Sequence, residues 1–271
     1  MYQAFWGLQT PPFSTTQDVR RFYQSQTYDE ALARLQYLVH AGRRVGLLLG
    51  PSGCGKSLLL EVLAGQLRRV GRCVTKLSLL GVDVRELLWS LAADWGQSPE
   101  PTIAEFELWR MVSDAIAAHR FQHVDTVILL DDVDEATPEA LSAVARLAQN
   151  EPTAQARLTL VLASATGRVR NLGHRLLELA DLRIDIVPWD AAETERYIER
   201  ALAQAGRTAP VFAAGAIARL TELAEGVPRH VNQLADLALL AAAAQKLELI
   251  DAHTVEAVFD ELALISPACA L

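Results

Sequence analysis

The sequence predicts an α/β protein: a three-layer αβα sandwich around a five-stranded parallel sheet, followed by a small C-terminal helical lid domain. Three observations carry this. Five short apolar or β-branched runs alternate with helical segments, the first run leads straight into a glycine-rich turn and a helix, and after Pro188 only helical patterns remain.

The strand-like runs are Arg44–Leu49, Cys73–Leu79, Thr126–Leu130, Leu158–Ala163 and Arg183–Val187, each bounded by Gly, Asp or Pro. Near-continuous apolar runs suit a parallel sheet covered on both faces. Helical patterns fill the gaps, over Tyr28–His40, Lys56–Arg69, Val84–Trp95, Ala104–His119 and Pro138–Asn150. Gly96–Thr102, with two prolines, reads as a surface loop. Beyond Pro188 the helical patterns are Ala191–Ala205, Ala213–Glu225, Pro228–Gln245 and Ala252–Leu262, with breaks at Val187-Pro188, Gly206 and Gly226. The expected domains are therefore 1–188, including an N-terminal extension, and 189–271.

Composition narrows the class. With 51% hydrophobic residues in 271, the chain has material for a large core and is not of disordered type. The three cysteines, Cys54, Cys73 and Cys269, lack paired spacing, which argues against a disulfide framework or structural zinc and fits a reducing cytoplasm. The N-terminus lacks the pattern of a signal peptide, and no apolar run reaches membrane-spanning length. A formal charge of −8 argues against a protein that coats DNA.

The chemistry is concentrated in two motifs. Gly50-Pro51-Ser52-Gly53-Cys54-Gly55-Lys56-Ser57 fits G-x-x-x-x-G-K-[ST], the P-loop pattern, and stands between a strand and a helix as that pattern requires. Its glycines let backbone amides turn toward phosphate oxygens, and the helix start, with Leu58 next in line, adds its dipole. Lys56 supplies charge to the β- and γ-phosphates of ATP, and Ser57 a hydroxyl to Mg²⁺. The second motif is Val127-Ile128-Leu129-Leu130-Asp131-Asp132, an apolar strand ending in acids. An acidic run alone is usually solvated surface. Paired with the P-loop, Asp131 reads as the Mg²⁺-holding acid and Asp132 as the group that orients or deprotonates the attacking water. A further strand between the motifs assigns the chain to the P-loop proteins with an additional central strand.

The order of several separated motifs resembles the AAA+ ATPases of the ExeA/GspA secretion type. They are Met1-Tyr2, Phe5-Trp6-Gly7-Leu8, Pro11-Pro12-Phe13, Phe22-Tyr23 with Glu30-Ala31-Leu32, and Gly226-Val227-Pro228-Arg229-His230-Val231-Asn232 with Asp236 beyond. The similarity runs from residue 1 to about residue 260 and extends to TniB-like transposition ATPases. The resemblance implies that Arg229 is the lid arginine reaching the γ-phosphate and that Phe13 and Phe22 lie near the adenine. Three departures stand out. Asp132 replaces the family's Glu, one methylene longer. Ser164 or Thr166 stands where a γ-phosphate-sensing Gln is usual. The arginine pair before the fifth strand is replaced by Glu178-Leu179, leaving Arg175 the nearest candidate finger, with Arg170 and Arg168 behind it. Full-length relatives often continue into a transmembrane helix and a peptidoglycan-binding part, and neither is expected in this chain.

Three functions follow as expectations. The first is an ATP hydrolase, slow in turnover, that forms homo-oligomers on ATP binding and drives assembly of a secretion or pilus complex through a protein cargo or membrane-complex partner. The second is a nucleotide switch with little hydrolysis. The third is a DNA-binding transposition regulator, with Arg168, Arg170, Arg175 and Arg183 as one basic strip and Arg68, Arg69 and Arg72 as another. The acidic balance counts against the third.

Overall fold

Five strands form one sheet in the order β2-β3-β4-β1-β5, with every neighbouring pair parallel, in a computed structural model that describes residues 2–14, 16, 18–150 and 157–265. Cys269 and Met1, both used in reading the sequence, lie outside the described residues. The strands are β1 (Val45–Gly50), β2 (Cys73–Ser78), β3 (Thr126–Asp131), β4 (Leu158–Ala165) and β5 (Leu182–Asp185). The helices, in chain order, are α1 (Tyr2–Trp6), α2 (Gln26–His40), α3 (Lys56–Arg69), α4 (Val84–Asp94), α5 (Glu105–Phe121), α6 (Pro138–Ala148), α7 (Gly173–Glu178), α8 (Ala191–Gln204), α9 (Ala214–Leu223), α10 (Pro228–Gln245) and α11 (Ala252–Ile265). Each β-to-β connection carries helix, as parallel pairing demands.

Packing divides the chain into two units. One comprises Gln26–Pro51 and Lys56–Ile186, the other Met1–Ser25, Ser52–Gly55 and Val187–Leu271. The first unit is the sandwich. Every residue of β1 and β3 is buried, which explains why these strands read as unbroken apolar runs rather than alternating ones. Val45, Leu47 and Leu49 join Ile128, Leu130, Leu160 and Leu162 in a core with Leu87, Leu88 and Leu91 of α4, Leu108 and Val112 of α5 and Val144 of α6. On the other face α2 and α3 pack on the sheet, and a Cβ placed on Gly46 would lie 2.5 Å from the Leu38 side chain, so glycine lets α2 approach β1. β4 lies between β1 and β3 as the additional central strand, whereas β2, the strand that falls between the two motifs in sequence, is at the edge of the sheet.

The helical unit packs α8, α9, α10 and α11 together, with an isolated parallel bridge between Phe212 and Ile250. Residues 2–25 group with these helices, whereas the sequence reading joins them to the 1–188 domain. The reason is local. Trp6 is buried and its indole N–H donates to the Leu239 carbonyl of α10 at 2.9 Å. The Tyr2 hydroxyl donates to Asp236 at 2.5 Å, and Arg207 donates to the Trp6 carbonyl at 2.8 Å with its guanidinium 5.2 Å from the indole centre. Phe13 (3% exposed), Tyr23, Trp189, Tyr197 and Phe212 form an aromatic core, with Phe13 ring centres 6.3 Å from Tyr197 and 6.4 Å from Phe212. A bend at Gly226 holds α9 to α10. Its φ is +64°, and a Cβ there would meet the Trp189 carbonyl oxygen at 2.0 Å, so no other residue fits without moving the backbone.

Candidate nucleotide-binding site

The strand register gathers the chemistry at the carboxyl end of the sheet. Leu49 pairs with Ser164, Gly50 with Ala165 and Ser78 with Asp131, so β1, β2, β3 and β4 end side by side. In open parallel sheets this is where ligands bind.

β1 ends at Gly50, and α3 starts at Lys56. Between them Gly53 and Gly55 have φ of +85° and +80°. Gly53 is also sterically confined: a Cβ would lie 2.9 Å from the Arg229 Cβ and 3.0 Å from Val227 Cγ1. The Arg229 amide donates to the Gly53 carbonyl at 3.3 Å, and the Arg229 side chain is exposed. Pro51 and Ser52 complete the turn, Cys54 is buried, and Leu58 is half-buried in the first turn of α3. The Lys56 ammonium donates to the Gly50 and Pro51 carbonyls at 2.8 and 3.0 Å, so the loop's own backbone holds its cation.

Asp131 is 4% exposed, with the Ser57 hydroxyl beside its carboxylate. Burial pushes its carboxyl above the ordinary value. The Ser57 hydroxyl pulls it down, the neighbouring Asp132 charge pushes up, and the Asp132 amide and the Lys76 charge pull down. Among the described residues no group of three or more His, Cys, Asp or Glu could hold a metal. The Ser57 hydroxyl and Asp131 carboxylate are hard oxygen donors of the kind that take one or two positions on Mg²⁺ and leave the rest to phosphate and water. The residues present therefore fit a magnesium nucleotide.

Asp132 adopts a left-handed backbone, φ +51° and ψ 37°. Its carboxylate accepts from the Ser78 hydroxyl at 2.8 Å, across the β2–β3 end. Asp134, two residues on, accepts the Ala165 amide at 3.1 Å, and Glu135 pairs with Arg168. These two acids tie the turn after β3 to the end of β4.

The other sequence candidates are held by partners of their own. Ser164 is fully buried and its hydroxyl donates to the Ala165 carbonyl at 3.1 Å. Arg175, on α7, donates to the Gln149 side chain at 2.6 Å and lines a cleft of about 390 Å³ with Ser142, Arg146, Gln149 and Asn150. Phe13 is inside the aromatic core, and the Phe22 amide caps the short turn Val19–Arg21 through the Val19 carbonyl. Sequence reasoning missed Ser78 and Lys76. The signal available was a serine ending, and a lysine interrupting, a run otherwise made of apolar and β-branched residues.

Residues 39–172 match the AAA domain family model. The general secretion pathway protein A of Aeromonas hydrophila is 29% identical over 250 residues, covering 90% of this chain and 45% of that protein. The chain thus spans about half the length of the curated relative it matches. The Orc1 protein of Aeropyrum pernix, solved in complex with DNA, superposes with a TM-score of 0.69 at 17% identity, covering 93% of this chain and 71% of that one. Drosophila ORC bound to DNA gives 0.74 at 14% identity, covering 96% of this chain and 65% of that one. At such identities the two structures speak for the fold alone. An AAA domain over residues 39–172 and the similarity along nine-tenths of the chain support an AAA+ ATPase of the general secretion pathway protein A type.

Proposed function

We propose that the chain binds Mg-ATP at Gly50–Ser57 and hydrolyses it slowly, and that the cycle drives or gates assembly of a secretion- or pilus-type complex at the cytoplasmic side. The observation that carries the reading is the Ser57 hydroxyl beside the buried Asp131 carboxylate, one residue from a lysine held by the P-loop carbonyls. Ser57 and Asp131 hold the metal, and Lys56 exchanges two carbonyl partners for phosphate oxygens. When bound, Mg²⁺ supplies charge neutralisation between the β- and γ-phosphates. Arg229, hydrogen-bonded to the loop at Gly53, supplies a guanidinium for the γ-phosphate. Asp132 orients the attacking water. Ser164 has its hydroxyl at the end of β4 beside the P-loop strand, and Arg175 is presented to a second copy of the chain as its finger.

A specific observation also favours the switch reading: Asp132 is short, and the Ser78 hydroxyl already holds its carboxylate. The net charge of −8 speaks against the DNA-binding reading. Among the described residues no helix is long and apolar enough to cross a membrane.

The test is a titration with a fluorescent ATP analogue and, in parallel, phosphate release. The parent is expected to bind in the presence of magnesium, and Lys56→Ala to lose binding while melting at the parent's temperature. Equal affinity of the two proteins would remove the site. Binding without measurable phosphate release would select the switch.

A further inference from the structure

Lys76 lies in a strand of the sandwich, the side chain 18% exposed, where an ammonium is expensive to desolvate unless it is paired. The strand runs Cys73-Val74-Thr75-Lys76-Leu77-Ser78, and Thr75 on its other face meets Asp94 at the end of α4. Lys76 instead faces α3. Its Nζ donates to the Ser57 carbonyl at 3.0 Å and to Glu61 Oε2 at 3.0 Å, one turn further along the same helix. A carbonyl oxygen has two acceptor positions, so the Ser57 carbonyl takes this bond beside its own place in the helical ladder. The same strand reaches the other proposed metal-holding residue through the sheet: Lys76 pairs in register with Leu129, and Ser78 with Asp131.

We infer that Lys76 is a positioning residue for the metal: by gripping the Ser57 carbonyl and Glu61 from the sheet, it fixes the first turn of α3 so that the Ser57 hydroxyl stays beside Asp131. β2 then indexes both oxygen donors against one rigid strand. The hydroxyl is carried on a peptide plane held at its carbonyl, and the carboxylate on a neighbouring strand held by ladder bonds. Without the ammonium, Glu61 and the Ser57 carbonyl both lose their charged donor, and the Ser57 peptide is free to rock about the helix start. Groups that orient ligands from outside the coordination shell typically govern about 10–100-fold of metal affinity. Glu61 shares the task, since it sets where along α3 the ammonium rests. This inference rests on the Mg-ATP reading of the P-loop.

The experiment uses the whole chain and a fluorescent non-hydrolysable ATP analogue, titrated in EDTA and at increasing magnesium chloride. For Lys76→Met the affinity in EDTA should match the parent. The magnesium concentration giving half-maximal tightening should rise about 10–100-fold. Lys76→Arg, which keeps charge and donors, should return it to within a few-fold of the parent. A purely structural role would shift the melting temperature and both affinities together. An unchanged magnesium midpoint in Lys76→Met overturns the inference and leaves the nucleotide site standing. A parent that shows no magnesium-dependent tightening overturns the nucleotide site and the inference with it. If Lys76→Met does not melt cooperatively, Lys76→Gln is read in its place: a smaller rise supports the inference, and the parent's midpoint refutes it.

Discussion

At Asp132 the chain turns left-handed directly after a buried acid, a conformation that aspartate tolerates better than most residues. The two acids divide their environments. Asp131 is sealed from water, and Asp132 is half-buried with one oxygen on a hydroxyl. If Asp132 orients the water, Asp132→Asn should keep nucleotide affinity and lower phosphate release by about 10²–10⁴-fold; a variant as fast as the parent would remove Asp132 from that role. Asp131 gives a prediction of opposite character. Burial raises its pKa above the unfolded value of 3.8, so its contribution to stability is complete below 3.8 and is lost as pH rises through the raised folded value. At pH 7 the buried charge is a destabilising element. Asp131→Asn should therefore melt no lower than the parent at pH 7 without nucleotide, gain less at pH 4, and lose magnesium-dependent nucleotide binding. A marked drop in melting temperature at pH 7 would show that the carboxylate stabilises the fold instead.

Among elements, the helices with strong local signals were legible to the residue. α3 is set by the lysine that closes the P-loop, and α10 by Pro228 at its first position, and both match their expected bounds. Strand ends were legible to within one or two residues, because the apolar run itself defines a doubly covered strand. What stayed hidden was short or tertiary. α1 has five residues and α7 six, too few to display a 3.6-residue period. The Lys76 and Ser78 contacts arise from register between distant segments, and no spacing along the chain encodes them. The same holds for Phe13: one aromatic in a proline-rich stretch reads alike whether it meets a base or, as here, other rings. Gly226 allows an element-scale test. Alanine there must hold a left-handed φ and clear the Trp189 carbonyl, which together should destabilise the chain by roughly 2–5 kcal/mol. Urea unfolding followed by circular dichroism measures it, and a loss below 1 kcal/mol would mean that the bend is pliable.

At the scale of the whole molecule, the proposed finger is a residue given to a neighbour, so assembly and nucleotide should be linked. Light scattering should record a rise in mass on adding magnesium and a non-hydrolysable analogue, no rise for Lys56→Ala, and a weakened rise for Arg175→Ala. A parent that stays at one mass throughout would exclude ATP-driven self-assembly. The packing of α1 on α10 has a consequence during synthesis. Trp6 leaves the ribosome long before its acceptor, since 233 residues separate it from Leu239. The sandwich, complete by Ile186, has its chain available first. Until α10 is translated, the Trp6 indole lacks its acceptor carbonyl. A stalled or truncated product lacking α10 therefore leaves the Trp6 ring uncovered, the kind of exposed apolar surface that favours aggregation.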